Sequence, residues 1–112
     1  MTAYARTSDL STSHEAASQV RTGWCEALVA DALYTARNRP VTHRELVLRV
    51  RGLCVERGIP SKAFPTDQSI RSRCAELVRR GVVEPAGSVQ GEKRREMQWR
   101  LTRSAIRERD AR

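Results

Sequence analysis

The sequence is poor in aromatic residues, in lysine and in long apolar runs. Aromatic side chains make up 4% of its 112 residues, and only Lys62 and Lys93 among its 21 cationic residues are lysines. No segment approaches the roughly 20 consecutive apolar residues of a membrane-spanning helix. Residues 1–12 are polar and lack the apolar stretch of a secretory signal peptide. These absences predict a cytoplasmic protein that does not enter a membrane.

The sequence also lacks motifs for metal binding and catalysis. Cys25, Cys54 and Cys74 are widely spaced and include no C-x-x-C pair, as expected in a reducing compartment. Each lies on the predicted inward face of a different helix, so a shared metal or redox site is one interpretation. Burial as small apolar side chains is the interpretation we favour. Without a glycine-rich phosphate loop, paired carboxylates or a nucleophile–base set, we expect no metal, no cofactor and no enzymatic activity.

What the chain does have is an excess of arginine. Its 21 cationic residues, 19 of them arginines, outnumber 13 acidic ones and leave a net charge of +8. Apolar residues make up 39% of the chain, which is enough for one core. In a domain of this size the excess of positive charge points to a polyanionic partner, most often nucleic acid. Arginine forms planar, bidentate hydrogen bonds with phosphate and guanine. A solvated basic surface and a GC-rich coding sequence are alternative explanations.

The N-terminal third predicts an arm followed by two helical segments. Residues 1–11 are small and polar, and Thr12-Ser13-His14-Glu15 has the spacing of a capping box that opens a short helix. Gly23 is expected to break or bend the helical path, and a longer helix is predicted over residues 24–37. Its inward positions recur at helical spacing: Cys25, Leu28, Val29, Ala32, Leu33 and Ala36.

A second apolar stripe runs along the other side of this helix. It consists of Val20, Trp24, Ala27 and Tyr34. A helix that is apolar on two sides needs two packing partners. The second partner is expected to be either the N-terminal segment or another subunit, which makes a homodimer through this stripe conceivable.

Two further capped helices are predicted in the middle of the chain. Thr42-His43-Arg44-Glu45 is a second capping box and opens a helix that runs to about Arg57, while Thr66 or Asp67 caps a helix over residues 67–80. Gly58 and Gly81 occupy the positions of C-terminal caps. The inward residues are Leu46, Val50, Leu53 and Cys54 in the first helix, and Ile70, Cys74, Leu77 and Val78 in the second. His43, like His14, is expected to be an exposed residue of a first turn.

The C-terminal third predicts a β-hairpin. Residues 82–84 are expected to form a short strand, and residues 85–95 a loop that carries Lys93, Arg94 and Arg95. Residues 96–101 alternate as a half-buried strand, with Met97, Trp99 and Leu101 on one face. The predicted organisation is therefore a flexible arm (1–11), a folded domain (12–101) and a charged tail or short helix (102–112).

Three capped helices followed by a basic hairpin form the element order of an α+β winged helix-turn-helix. In that architecture the third helix enters the major groove of double-stranded DNA, and the wing contacts the backbone or the minor groove. Projected as a helix, the third segment places Gln68, Ser72, Ala75 and Arg79 outward, with Arg71 on one shoulder and Ser69, Arg73, Glu76 and Arg80 on the other. The predicted DNA-binding residues are Gln68, Ser69, Arg71, Ser72, Arg73, Arg79, Arg80, Lys93, Arg94 and Arg95.

Several stretches resemble small winged-helix proteins encoded by actinobacterial phages. Residues 69–83, SIRSRCAELVRRGVV, resemble their recognition-helix region, and residues 40–46, PVTHREL, resemble the entry to their second helix. Residues 6–9 and 12–17 resemble the arm that opens those proteins, and Trp99 matches a tryptophan of their last strand. The resemblance implies DNA binding by a transcriptional or genome-maintenance regulator in the cytoplasm of a bacterial host.

Two other functions are compatible with the sequence. Winged helices also serve as protein-interaction modules, and the Val20/Trp24/Tyr34 stripe would suit docking to a host factor or a complex subunit. RNA binding is the other alternative, although exposed aromatic residues for base stacking are scarce. Nothing in the sequence indicates a small-molecule ligand.

Overall fold

The computed structural model describes residues 22–91 and 93–112. Over these residues the chain is α+β, with four α-helices and a three-stranded antiparallel sheet. The helices are α1 (22–34), α2 (His43–Glu56), α3 (Asp67–Arg79) and α4 (Arg103–Asp110); the strands are β1 (Val41–Thr42), β2 (Val83–Gln90) and β3 (Arg95–Leu101). None of the described helices is both long and apolar enough to cross a bilayer. The predicted arm and the capping box at Thr12 lie outside the described residues.

Gly23 lies inside α1, so the predicted break at this residue was wrong. Helix α1 also ends earlier than expected, because residues 35–38 form a turn in which Arg37 adopts a left-handed φ of 56°. The predicted inward face is confirmed, since Cys25, Leu28, Val29, Ala32 and Leu33 are all buried.

Threonine hydroxyls cap three of the helices. The Oγ1 atoms of Thr42 and Thr66 each accept a hydrogen bond of 3.1 Å from the backbone N–H three residues later, which confirms both predicted N-termini. Glu45 does not complete the capping box; its Oε2 accepts from Arg39 and Arg49 at 2.9 and 2.8 Å. Gly58 and Gly81 have φ angles of 71° and 75°, the left-handed conformation of a C-terminal glycine cap.

The sheet differs from the sequence prediction in two respects: β1 was not predicted, and β2 is longer than expected. Strand β1 pairs antiparallel with β3 through Val41 and Trp99, giving the strand order β1-β3-β2. Strand β2 continues to residue 90 because an irregularity between Pro85 and Ser88 absorbs the proline and Gly87, whose φ is 86°. The hairpin loop is therefore confined to residues 91–94, and the distal half of the hairpin is exposed.

One core joins the helices to the sheet. The inward residues of α2 and α3 pack with Val41, Val83, Trp99 and Leu101, and Leu46, Ile70 and Leu101 are fully buried. Met97 was predicted on the same face as Trp99, but it is 45% exposed because it lies on the part of the hairpin that extends beyond the core.

The C-terminal residues form a helix that packs on α1. Thr102 caps α4, and Ala105 is buried in the core. The hydroxyl of Tyr34 donates to the carboxylate of Asp110, and the guanidinium of Arg109 lies 5.0 Å from the centre of the Tyr34 ring. At Tyr34, α4 therefore packs against the second apolar stripe.

Asp31 of α1 links α4 to α2. Its carboxylate accepts hydrogen bonds from Arg57, at 2.7 Å, and from Arg109. Partial burial opposes ionisation, but the hydrogen bonds from the two arginines outweigh it and hold the pKa of the Asp31 carboxyl below its usual value.

Replacing Asp31 with asparagine should lower the free energy of unfolding at neutral pH by roughly 1–2 kcal/mol, because both arginines lose a charged acceptor. A depressed folded-state pKa contributes stability above the unfolded pKa of about 4, and this stability disappears as the pH falls through the lower folded value. Urea unfolding at a series of pH values should therefore show a smaller loss of stability in acid for Asp31→Asn than for wild type. Parallel curves would contradict this role.

Candidate nucleic-acid interface

A basic groove lies between α2, α3 and the β2–β3 hairpin. Its volume is about 930 Å³, and among the described residues five arginines but only two carboxylates line it. The lining residues are His43, Arg44, Val47, Leu48 and Arg51 from α2, Asp67, Gln68 and Arg71 from α3, and Arg94, Arg95, Glu96 and Met97 from the hairpin.

The fold brings both helix N-termini to this groove. Helix α2 begins directly after β1, which pairs with β3, so its first turn lies beside the hairpin. Helix α3 begins at Asp67, and its first-turn residue Gln68 lines the groove as well. The partial positive charge and the free N–H groups of a helix N-terminus favour anions such as phosphate. The groove therefore combines cationic side chains with two favourable backbone dipoles.

The exposed residues of α3 form a stripe along the helix, and its members differ slightly from those that the helical projection of the sequence predicted. Gln68, Arg71, Ala75 and Arg79 are exposed, whereas Ser69 and Ser72 are half-buried. Arg71 was expected on a shoulder but belongs to this stripe, and Ser72 does not. The difference arises because α1 covers the flank of α3 that carries Arg73 and Arg80.

Arg73, one of the predicted DNA-binding residues, holds α3 to α1. Its Nη1 donates to Thr22 Oγ1 at 3.1 Å, its Nη2 bonds to Glu76 at 2.9 Å, and its side chain is 17% exposed. Arg80 likewise forms an ion pair with Glu26 of α1. Both arginines lie outside the basic groove.

The remaining predicted residues divide between the groove and its surroundings. Gln68, Arg71, Arg94 and Arg95 line the groove together, although they come from separate parts of the sequence. Arg95 is oriented by hydrogen bonds of 3.2 and 3.3 Å from its guanidinium to Ser88 of the neighbouring strand. Lys93 is exposed at the hairpin tip, and Arg79 is exposed at the far end of α3.

Sequence reasoning missed two arginines of the groove, Arg44 and Arg51. Both are exposed on α2, on the side opposite the buried Leu46 and Val50, and Arg51 Nη2 lies 3.7 Å from Asp67 Oδ1. Their spacing of seven residues places them on one helical face. A projection of α2, like the one made for α3, would have found this signal.

His43 is buried, so the expectation of an exposed first-turn histidine was wrong. The residue is 8% exposed because α3 and β3 cover it, and within the described part of the chain neither ring nitrogen has a hydrogen-bond partner. Burial lowers the pKa of the His43 imidazole, and the charge of Arg71 acts in the same direction. Asp67 and Glu96 oppose this shift but do not cancel it.

The cysteines are buried and free. Burial raises the pKa of all three thiols, that of Cys74 to about 12, so they are protonated at neutral pH. Over residues 22–91 and 93–112, no group of three or more His, Cys, Asp or Glu side chains is placed to hold a metal ion. The cysteines pack as small apolar side chains.

Comparison with protein-family models, with curated proteins and with solved structures finds no match to this chain.

The structural role of Arg73 leads to a stability prediction. Arg73→Ala removes the contacts to Thr22 and Glu76 and should lower the free energy of unfolding by roughly 1–2 kcal/mol. Arg71→Ala is the matched control, because Arg71 is exposed two residues away, and its effect should stay within about 0.5 kcal/mol. Urea denaturation measures both. Equal losses for the two variants would show that Arg73 does not anchor α3 to α1.

Proposed function

We propose that this protein is a winged helix-turn-helix domain that binds double-stranded DNA. Helices α2 and α3 correspond to the helix-turn-helix, and the β2–β3 hairpin corresponds to the wing. The observation that carries the proposal is the basic groove, where arginines from α2, α3 and the hairpin line one concave surface with few opposing carboxylates. A surface built from three elements in this way suits a polyanion that contacts all of them at once.

The exposed stripe of α3 has side chains suited to reading base pairs. Gln68 can form two hydrogen bonds with adenine, and Arg71 can do so with guanine. Ala75 is small enough to let the helix approach base edges and can contact a thymine methyl group. From Gln68 to Arg79 the stripe extends roughly 16 Å along the helix, and its exposed positions carry no acidic side chain.

The other arginines of the groove are placed to hold phosphates. Arg44 and Arg51 of α2 and Arg94 and Arg95 of the hairpin line the same groove as Gln68 and Arg71 of the stripe. The N-termini of α2 and α3 supply backbone N–H groups near the same surface. Contacts of this type set the orientation of the protein on the duplex and carry little sequence information. Lys93 extends the basic surface toward the tip of the wing.

The connector between α2 and α3 is longer than a tight turn, but it is anchored. Residues 57–66 include a 3-10 turn at Ser61–Ala63, and the side chains of Ile59 and Phe64 pack against the core. The orientation of α3 relative to α2 is therefore set by core packing rather than by the connector length.

The docking alternative has weaker support from the structure. It relies on Val20, Trp24 and Tyr34, but Tyr34 already contacts Arg109 and Asp110 of α4. Trp24 is 37% exposed, and Val20 lies outside the described residues. We therefore favour DNA binding, with a role in transcription or genome maintenance of a phage in its bacterial host.

Arg94→Ala should weaken binding to every duplex sequence alike. Loss of one phosphate contact should also reduce the slope of log K against log salt by about one unit. Arg107→Ala, on the exposed face of α4 and away from the groove, is the control because it changes the net charge equally. Fluorescence anisotropy over a salt series measures both. Equal effects of the two substitutions would show that net charge, and not the groove, governs binding.

Gln68→Ala should change sequence preference instead. Selection from a random-sequence duplex pool at near-physiological salt, followed by sequencing, should yield an enriched motif for wild type and a motif relaxed at one position for the variant. The expected discrimination lost is roughly 1–3 kcal/mol at that base pair. Retention without enrichment would leave a non-specific binder, and no retention would exclude the proposed function.

A further inference from the structure

The floor of the basic groove contains a titratable group that the DNA contacts leave unused. His43 is the first residue of α2 and lines the groove, and its Nδ1 and Nε2 are both buried. Among the described residues neither nitrogen forms a hydrogen bond of normal geometry, although the backbone carbonyl of Asp67 lies near enough to favour the protonated ring. A buried polar group without a partner is costly in a folded protein.

Charged side chains of both signs surround His43, and they come from helix α3 and strand β3. Helix α3 presents Arg71, which disfavours an imidazolium, and Asp67, which favours it, while strand β3 presents Glu96, which also favours it. On the rim of the same groove lie Arg44 and Arg51 of α2 and Arg94 and Arg95 of the hairpin. In the free protein, burial and the charge of Arg71 hold the pKa of the His43 imidazole below its usual value and favour the neutral ring.

We propose that the basic groove binds a DNA backbone together with one proton, which is taken up by His43. This inference rests on the proposed function and describes its regulation by pH. Phosphates that enter the groove place negative charge near His43 and neutralise the rim arginines. Protonation turns both ring nitrogens into hydrogen-bond donors. The carboxylates of Asp67 and Glu96, which favour the charged ring, are the candidate acceptors.

Thermodynamic linkage gives the size and sign of the effect. If the duplex raises the proton affinity of His43, the proton by necessity raises the affinity for the duplex. One linked proton changes the association constant by at most about tenfold per pH unit, between the pKa values of the free and bound states. Duplex phosphates do not titrate in this range, so the effect must come from the protein.

The first test compares binding of a labelled mixed-sequence duplex, at fixed salt, from about pH 8 down to about pH 5.5, the range in which histidine titrates. Wild type should bind more tightly as the pH falls, by up to about tenfold per unit, while His43→Gln should show a flatter profile. His14→Gln is the matched control, because the chain has only two histidines, and its profile should follow wild type. Parallel profiles for wild type and His43→Gln would overturn the inference.

A second measurement keeps His43 in place, which matters if its replacement disturbs folding. In the His14→Gln variant the only imidazole is that of His43, so its NMR titration can be followed with and without the duplex. The pKa should rise when the duplex is bound. An unchanged pKa, with binding still present, would overturn this inference alone; absence of binding at every pH would overturn the proposed function itself.

Discussion

The short antiparallel pairing of β1 with β3 is the contact on which the arrangement of the groove depends. It involves only two residues of β1, with Val41 opposite Trp99 and Thr42 opposite Gln98. Because α2 starts at the next residue, this pairing holds the helix N-terminus against the hairpin. The same pairing brings Arg44 of α2 into one groove with Arg94 and Arg95 of the hairpin. Elements separated by some fifty residues thus form one concave surface.

Arginine serves two distinct purposes in this chain. Arg57, Arg80 and Arg109 bind acidic side chains of α1, and Arg73 donates to Thr22 of the same helix, so these arginines hold the helices together. In the groove, arginines from three elements converge, and the carboxylates that line it within the described part of the chain are those of Asp67 and Glu96. Like charges brought together raise the energy of the free protein, and an anionic partner relieves that repulsion. The groove therefore contributes a local excess of positive charge to a chain whose net charge is +8.

Much of the local structure could be predicted because its causes are local. The caps at Thr42 and Thr66, the glycine stops at residues 58 and 81, and the buried faces of α2 and α3 depend on residues within one or two helical turns. The alternation of apolar and polar residues also predicted the strand that includes Trp99 and ends at Leu101. What it did not reveal was β1, because a two-residue strand after a proline has no pattern of its own and exists only through its pairing with β3. The length of β2 was missed for a related reason, since Pro85 and Gly87 are typical of a loop until a bulge accommodates them.

For the site, composition and periodicity by themselves determined that the chain is strongly basic and that α3 has an outward face with Gln68 and Arg71. Only the tertiary structure decided which arginines meet. It assigned Arg73 and Arg80 to α1, added Arg44 and Arg51 to the groove, and buried His43 beneath it. The physical reason is that helical periodicity specifies the direction of a side chain relative to its own helix. Which neighbour covers that direction depends on contacts between residues far apart in the sequence.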